Sequence, residues 1–137
     1  HLDRTRLGEI IFTDSGARSD LNSIMHPAIA RLAVERLAEL KATPGIPLIV
    51  YEAPLLFEVG AETRVDRVLV VRIDPELQLQ RLILRDGLDE AAAKQRLAAQ
   101  MPQTEKLARA DYVIDNSGGR AATLQQVQAL WLQLVGK

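Results

Sequence analysis

The sequence contains no cysteine, which excludes disulfides and thiolate metal centres. Its two histidines, His1 and His26, stand too far apart in sequence to suggest a histidine-based metal site. Aromatic residues make up only 4% of the chain, so the core must be aliphatic, and few rings are left for stacking nucleobases. The formal net charge is −1, so no global field gathers nucleic acid or an anionic membrane surface, and neither is expected as a partner. No apolar run approaches the ~20 residues of a membrane span and no signal peptide opens the chain, which sets the expectation of a cytoplasmic protein. A phosphate-binding loop of the Gly-x4-Gly-Lys-Ser/Thr type is also missing. The one Gly-Lys pair, Gly136-Lys137, lacks both the earlier glycine and the following hydroxyl residue.

What is present is ordinary in bulk and ordered in pattern. The chain has 137 residues, 47% hydrophobic and 26% charged, the size and balance of one globular domain. Leu2, Leu7, Ile10 and Ile11 space out one short amphipathic helix. Thr13-Asp14-Ser15 is a capping signal for a second, with Leu21, Ile24 and Met25 inward, running to Met25. His26-Pro27 restarts the chain, since proline suits the first turn of a helix. A third helix then reaches Leu40 with Ile29, Leu32, Ala33 and Leu37 on one side. Leu48-Ile49-Val50-Tyr51 fits a strand buried on both faces, residues 66–73 form the clearest strand, and Asp111-Tyr112-Val113-Ile114-Asp115 forms a third. Between the last two lie a helix opened by Asp74-Pro75, a break at Asp86-Gly87, a helix capped by Asp89, and a short helix after Met101-Pro102. A closing helix, with Leu124, Val127, Leu130, Trp131 and Leu134 buried, follows Gly118-Gly119. Three strands separated by helices imply crossovers and a parallel α/β sheet.

Ligands of open α/β sheets bind beyond the carboxyl ends of the strands. Those ends are Glu52-Ala53-Pro54, Asp74-Pro75 and Asp115-Asn116-Ser117-Gly118. The last is either a turn whose backbone and Asn116 amide read a nucleobase edge, or an Asx-turn before a helix. Arg81 and Arg85, four apart on one helix, are either a two-pronged phosphate clamp or a solvated face paired with Glu76 and Asp86. Lys94, Arg96, Lys106 and Arg109 add cations to the same excursion and favour an anion site, with Gly87 as its hinge. Glu52 and Glu58 flank the first strand's exit, as water-mediated Mg²⁺ carboxylates or as surface acids. His26 at a helix start caps or packs more readily than it catalyses.

Six stretches in order, LDRTRLGEIIF, IMHP, APLLFE, DRVLVV, QLQRLILRDGL and ADYVIDNSG, together resemble dephospho-coenzyme A kinase. The resemblance covers essentially the whole chain. It implies a P-loop kinase of the nucleoside-monophosphate-kinase type, with ATP and Mg²⁺ as cofactors and dephospho-CoA as the acceptor of the phosphoryl group. By resemblance, residues 1–42 are a helical substrate region, 88–109 a lid, and 43–87 with 110–137 the α/β core. Lys106 would stabilise charge on the transferring phosphate. Arg81, Arg85, Asn116, Ser117 and Gly118 would face ATP, and His26, Arg31, Leu55 and Leu56 would face dephospho-CoA. The family's first strand, phosphate loop and acidic base are not in these residues. The expectation is therefore a truncated fold with three strands left. Such a chain would be inactive on its own and prone to self-association through exposed sheet edges. A related small-molecule kinase and a non-catalytic dephospho-CoA-binding module are the alternatives.

Overall fold

A computed structural model describes residues 2–136, with the side chains of Thr5 and Phe12 left aside; His1 and Lys137 lie outside the described residues. Contacts divide the chain into two compact units, one ending at Ile49 and one beginning at Val50.

The first unit is two helices. Helix α1 (Arg4–Thr13) starts on the Asp3 carboxylate, which accepts the Arg6 N–H at 3.0 Å. Helix α2 (Ser15–Ala42) starts the same way on Asp14, which accepts from the N–H groups of Gly16 and Ala17 at 2.7 and 3.1 Å. The expected restart at His26-Pro27 is not there: α2 runs through Pro27 without a break. Proline removes one backbone donor and crowds the preceding turn, at a cost of ~3 kcal/mol. The leucine- and alanine-rich turns that follow it carry the helix past that loss. Within this unit α1 packs against α2. The stripe expected to point inward is largely exposed, Ile24 at 69% and Leu32 at 57%, because periodicity marks an apolar face without specifying what covers it.

The second unit holds the sheet. Strand β1 (Leu69–Arg72) pairs in parallel with β2 (Tyr112–Asp115), Leu69 opposite Tyr112 and Arg72 opposite Asp115. Among the described residues the sheet has these two strands and not three. Residues 48–51 join no ladder, and Val50 is 80% exposed. A strand exists only where a neighbour answers its N–H and C=O groups, and hydrophobic content alone does not supply one.

The crossover from β1 to β2 carries three helices: α3 (Pro75–Asp86), α4 (Glu90–Ala98) and α5 (Gln103–Ala108). Asp74 caps α3 through the N–H groups of Glu76 and Leu77, and Asp89 caps α4 through that of Ala92, as the sequence implies. Helix α3 ends on Gly87, whose φ of +64° is left-handed and whose N–H closes onto the Ile83 carbonyl. Phe57, Val68 and Val70 form the core, joined by Val65, Met101 and Leu107. Helix α6 (Arg120–Val135) packs against β2. Its Leu130 and Leu134 are half-buried, but Leu124, Val127 and Trp131, expected inside, are 53%, 44% and 48% exposed. One short strand beneath a helix of this length leaves part of its apolar face in water.

Candidate functional site

The in-register pairing brings the carboxyl ends of β1 and β2 side by side; three contacts stitch them together and a fourth fixes the turn that leaves β2. The Asn116 N–H donates to the Arg72 carbonyl at 2.8 Å, and the Asp74 N–H to Ser117 Oγ at 2.8 Å. Arg72 Nη2 meets Asp115 Oδ2 at 3.0 Å, and the Ser117 N–H donates to Asp115 Oδ1 at 2.9 Å. The Ser117 hydroxyl and N–H lead in holding the Asp115 carboxyl below the usual aspartate range; burial opposes them and Arg72 reinforces them.

One glutamine finishes each strand end. Gln103 accepts the Ile73 N–H at 2.9 Å and returns its own amide to the Ile73 carbonyl at 2.8 Å. Gln126 does the same to Asp115, at 2.8 and 2.9 Å. Each primary amide thus answers a strand's donor and acceptor as a neighbouring peptide unit would.

Beyond these ends opens a hollow of about 320 Å³. Arg81 and Arg120 bring positive charge to it, and Leu124 and Val127 form an apolar wall. Asn116, Gly118 and Thr123 complete its lining. Arg81 reaches across from α3 to donate to the Asn116 carbonyl at 3.0 Å. Neither arginine has an acidic partner among the described residues. Two guanidiniums without acidic partners among the described residues, beside an apolar wall, are chemically suited to an anion that carries an apolar group.

A family model for dephospho-CoA kinase matches residues 1–122. The dephospho-CoA kinase of Syntrophotalea carbinolica is 58% identical over 134 residues, covering 98% of this chain and 63% of its own. That of Geobacter sulfurreducens is 52% identical over 130 residues, covering 95% and 66%. Among solved structures, the dephospho-CoA kinase from Campylobacter jejuni superposes with a TM-score of 0.69 at 34% identity, covering 98% of this chain and 67% of that one. A Thermus thermophilus structure reaches a TM-score of 0.79 at 36% identity, covering 98% and 68%.

The chain belongs to the dephospho-CoA kinase family.

Its small parallel sheet with flanking helices agrees with the α/β P-loop kinase fold that the resemblance implied. The chain spans 63% and 66% of the lengths of the first two relatives named. No helix among the described residues is long and apolar enough to cross a membrane.

Of the residues singled out on the ATP side, the hollow gathers Arg81, Asn116 and Gly118, while Ser117 lies just behind as a fastener between strand ends. Arg85 takes another course. It pairs with Asp86 at 2.7 Å, and Asp86 also takes Arg96. Shared helical spacing with Arg81 does not decide its partner when an aspartate follows it directly.

Lys106 on α5 stands apart from the hollow's lining, and its ammonium rests among three oxygens. Glu58 Oε1 lies at 3.2 Å, Gln100 Oε1 at 3.4 Å and the Pro54 carbonyl at 3.5 Å. The Lys106 and Glu58 side chains are 17% and 21% exposed. Glu58 also accepts the Met101 N–H at 2.9 Å. Burial pushes the Glu58 carboxyl up, but the Met101 N–H, its own backbone N–H and Lys106 together bring it below the usual range. Nearby, Arg109 ion-pairs with Glu62 and lies 4.3 Å over the Phe57 ring.

On the proposed acceptor side, half-buried His26 and exposed Arg31 lie on α2, Arg31 at 3.9 Å from Glu35. Leu55 and Leu56 belong to the second unit, exposed and half-buried respectively. Glu52 is exposed, and no three His, Cys, Asp or Glu among the described residues gather as metal ligands.

Sequence reasoning passed over Arg120, Thr123 and the two glutamines. The first two open α6 directly after the Asn116-Ser117-Gly118 turn. Polar residues in the first helical turn after a ligand-facing loop are the signal that would have found them.

Proposed function

We propose that this chain forms the nucleotide-side floor and the lid of an enzyme that passes the γ-phosphoryl group of ATP to the ribose 3′-hydroxyl of dephospho-CoA, the last step of coenzyme A biosynthesis. The observation that carries this reading is the hollow at the joined strand ends, with Arg81 and Arg120 unopposed by acids, in a member of the dephospho-CoA kinase family. ATP is the proposed donor and Mg²⁺ its companion.

Arg81, Asn116 and Gly118 take the adenosine end of ATP, with Ser117 fixing their height. Arg85, at the base of the lid, contributes by giving up Asp86. Lys106 meets the transferring phosphate by exchanging Glu58 for it, placing a cation where charge develops. His26 and Arg31 in the first unit, and Leu55 and Leu56 in the second, take dephospho-CoA. The 137 residues contain no Gly-x4-Gly-Lys-Ser/Thr loop, so they supply no cradle for the β- and γ-phosphates and turn over nothing alone.

Calorimetric titration with ATP and with dephospho-CoA, beside an assay for 3′-phosphorylation, tests the reading. Binding of both ligands without turnover is the expected result, and absence of binding by either overturns it. Binding of dephospho-CoA without ATP favours the non-catalytic module. The uncovered sheet residues Val71 and Val113, 55% and 46% exposed, support self-association of the chain. Sedimentation at micromolar concentration checks this, and a monodisperse monomer refutes it.

A further inference from the structure

Asn116 is fastened at three points. Its N–H donates to the Arg72 carbonyl at 2.8 Å, its carbonyl accepts from Arg81 at 3.0 Å, and its side-chain Oδ1 accepts the Thr123 hydroxyl at 3.1 Å. What is left is the Nδ2 amide, two donors with no partner among the described residues, on a half-buried side chain that lines the hollow. A side-chain amide can present a donor end or an acceptor end, and rotation by half a turn exchanges them. Thr123 decides between the two. It sits in the first turn of α6, with its N–H on the Gly119 carbonyl, and its branched β-carbon restricts the directions its hydroxyl can take. With that hydroxyl donating to Oδ1, the NH₂ end faces the ligand.

We propose that Thr123 is a specificity-determining positioning residue. By holding the Asn116 amide with its NH₂ toward the hollow, it makes the site select a purine edge that offers a ring-nitrogen or carbonyl acceptor. Leu124 and Val127 supply the apolar wall against which such a ring lies. A base posed with a ring N–H against that amide, such as the guanine N1–H, would set donor against donor and is disfavoured, because an unanswered polar pair costs more than a made one returns. The inference rests on the nucleotide reading of the hollow and adds to it the residue that sets which edge is read.

The test is an NMR titration of the ¹⁵N-labelled chain with ATP and, separately, with inorganic tripolyphosphate, following the Asn116 side-chain amide pair. ATP should shift that pair; tripolyphosphate, which carries no base, should move the arginine signals and leave the pair in place. In Thr123→Val the ATP-induced shift should disappear and ATP affinity should fall about two- to tenfold, with tripolyphosphate affinity unchanged. Thr123→Ser keeps the hydroxyl and should restore both. ATP shifts at Gly118 and Thr123 without movement of the Asn116 pair would overturn the inference and leave the nucleotide reading standing. No shift at any residue of the hollow would overturn both. An ATP-induced shift of the Asn116 pair that survives in Thr123→Val would overturn the role of Thr123, and should that variant misfold, Thr123→Ala read by the same titration decides.

Discussion

Glu58→Ala should be strongly destabilising at the corner between α4 and α5. Glu58 is asked to do two things from outside the helices it serves: accept the Met101 N–H at 2.9 Å and neutralise Lys106 at 3.2 Å. The first holds the corner between α4 and α5. The second anchors α5, beside the Arg109 contacts. A hydrogen bond to a charged acceptor contributes ~1.5–3 kcal/mol. The ion pair adds less than a fully buried pair would, because each side chain retains about a fifth of its exposure. Removing the carboxylate should therefore cost roughly 2 kcal/mol, which lowers the melting temperature of a unit this size by roughly 10 °C. Glu58→Gln keeps an oxygen for Met101 but loses the charge, and should cost about half as much. Acidity separates the two contributions. The folded Glu58 carboxyl titrates below its usual range, so its contribution is fully present above the unfolded value near ~4.3 and is lost as pH falls through the lower folded value. The gap between parent and Glu58→Gln should be constant from pH 7 to about pH 5 and narrow as pH falls below the unfolded value and through the lower folded one. Thermal melts by circular dichroism at several pH values measure it. A Glu58→Ala variant that melts within about 2 °C of the parent at neutral pH would refute the anchoring argument.

Gln126→Leu removes two hydrogen bonds to Asp115 and should destabilise by about 2 kcal/mol in chemical denaturation. Gln126→Glu should approach the parent only below about pH 4, since an ionised carboxylate accepts the Asp115 N–H but repels its carbonyl. Gly87→Ala should cost roughly 1 kcal/mol through backbone strain alone, because φ is +64° and nothing lies within 4 Å of the added methyl. Arg81→Ala should weaken ATP binding about five- to tenfold, and the loss should shrink as salt is raised; calorimetry at two ionic strengths reads it.

What could be foreseen from the residues alone follows the range of the interaction involved. Asp14, Asp74 and Asp89 cap helices through N–H groups two or three residues away, so their roles were written locally. The Asp-Pro and Asp-Gly boundaries of α3 are equally local. Residues 48–51 look like a strand by composition and still pair with nothing, because a ladder requires a partner that composition does not name. Gln103 and Gln126 were invisible for the related reason that their targets, Ile73 and Asp115, lie 30 and 11 residues away. Arg81 and Arg85 shared one spacing and one expectation, and a neighbouring aspartate separated them. Pro27 shows the converse case, where a local rule that predicts a break yields to the turns that follow it.

The two glutamines have a consequence for how the site responds to its surroundings. The fasteners around α4 and α5 include ion pairs, Glu58 with Lys106, Asp86 with Arg85 and Arg96, Glu62 with Arg109. Salt and acid loosen those in turn. A primary amide has no charge to screen and no proton to gain in the ordinary pH range, so Ile73 and Asp115 are gripped equally firmly in acid, at neutrality and in brine. The two amide grips thus persist at the strand ends where salt or acid loosens the Arg72–Asp115 pair beside them and the ion pairs around α4 and α5.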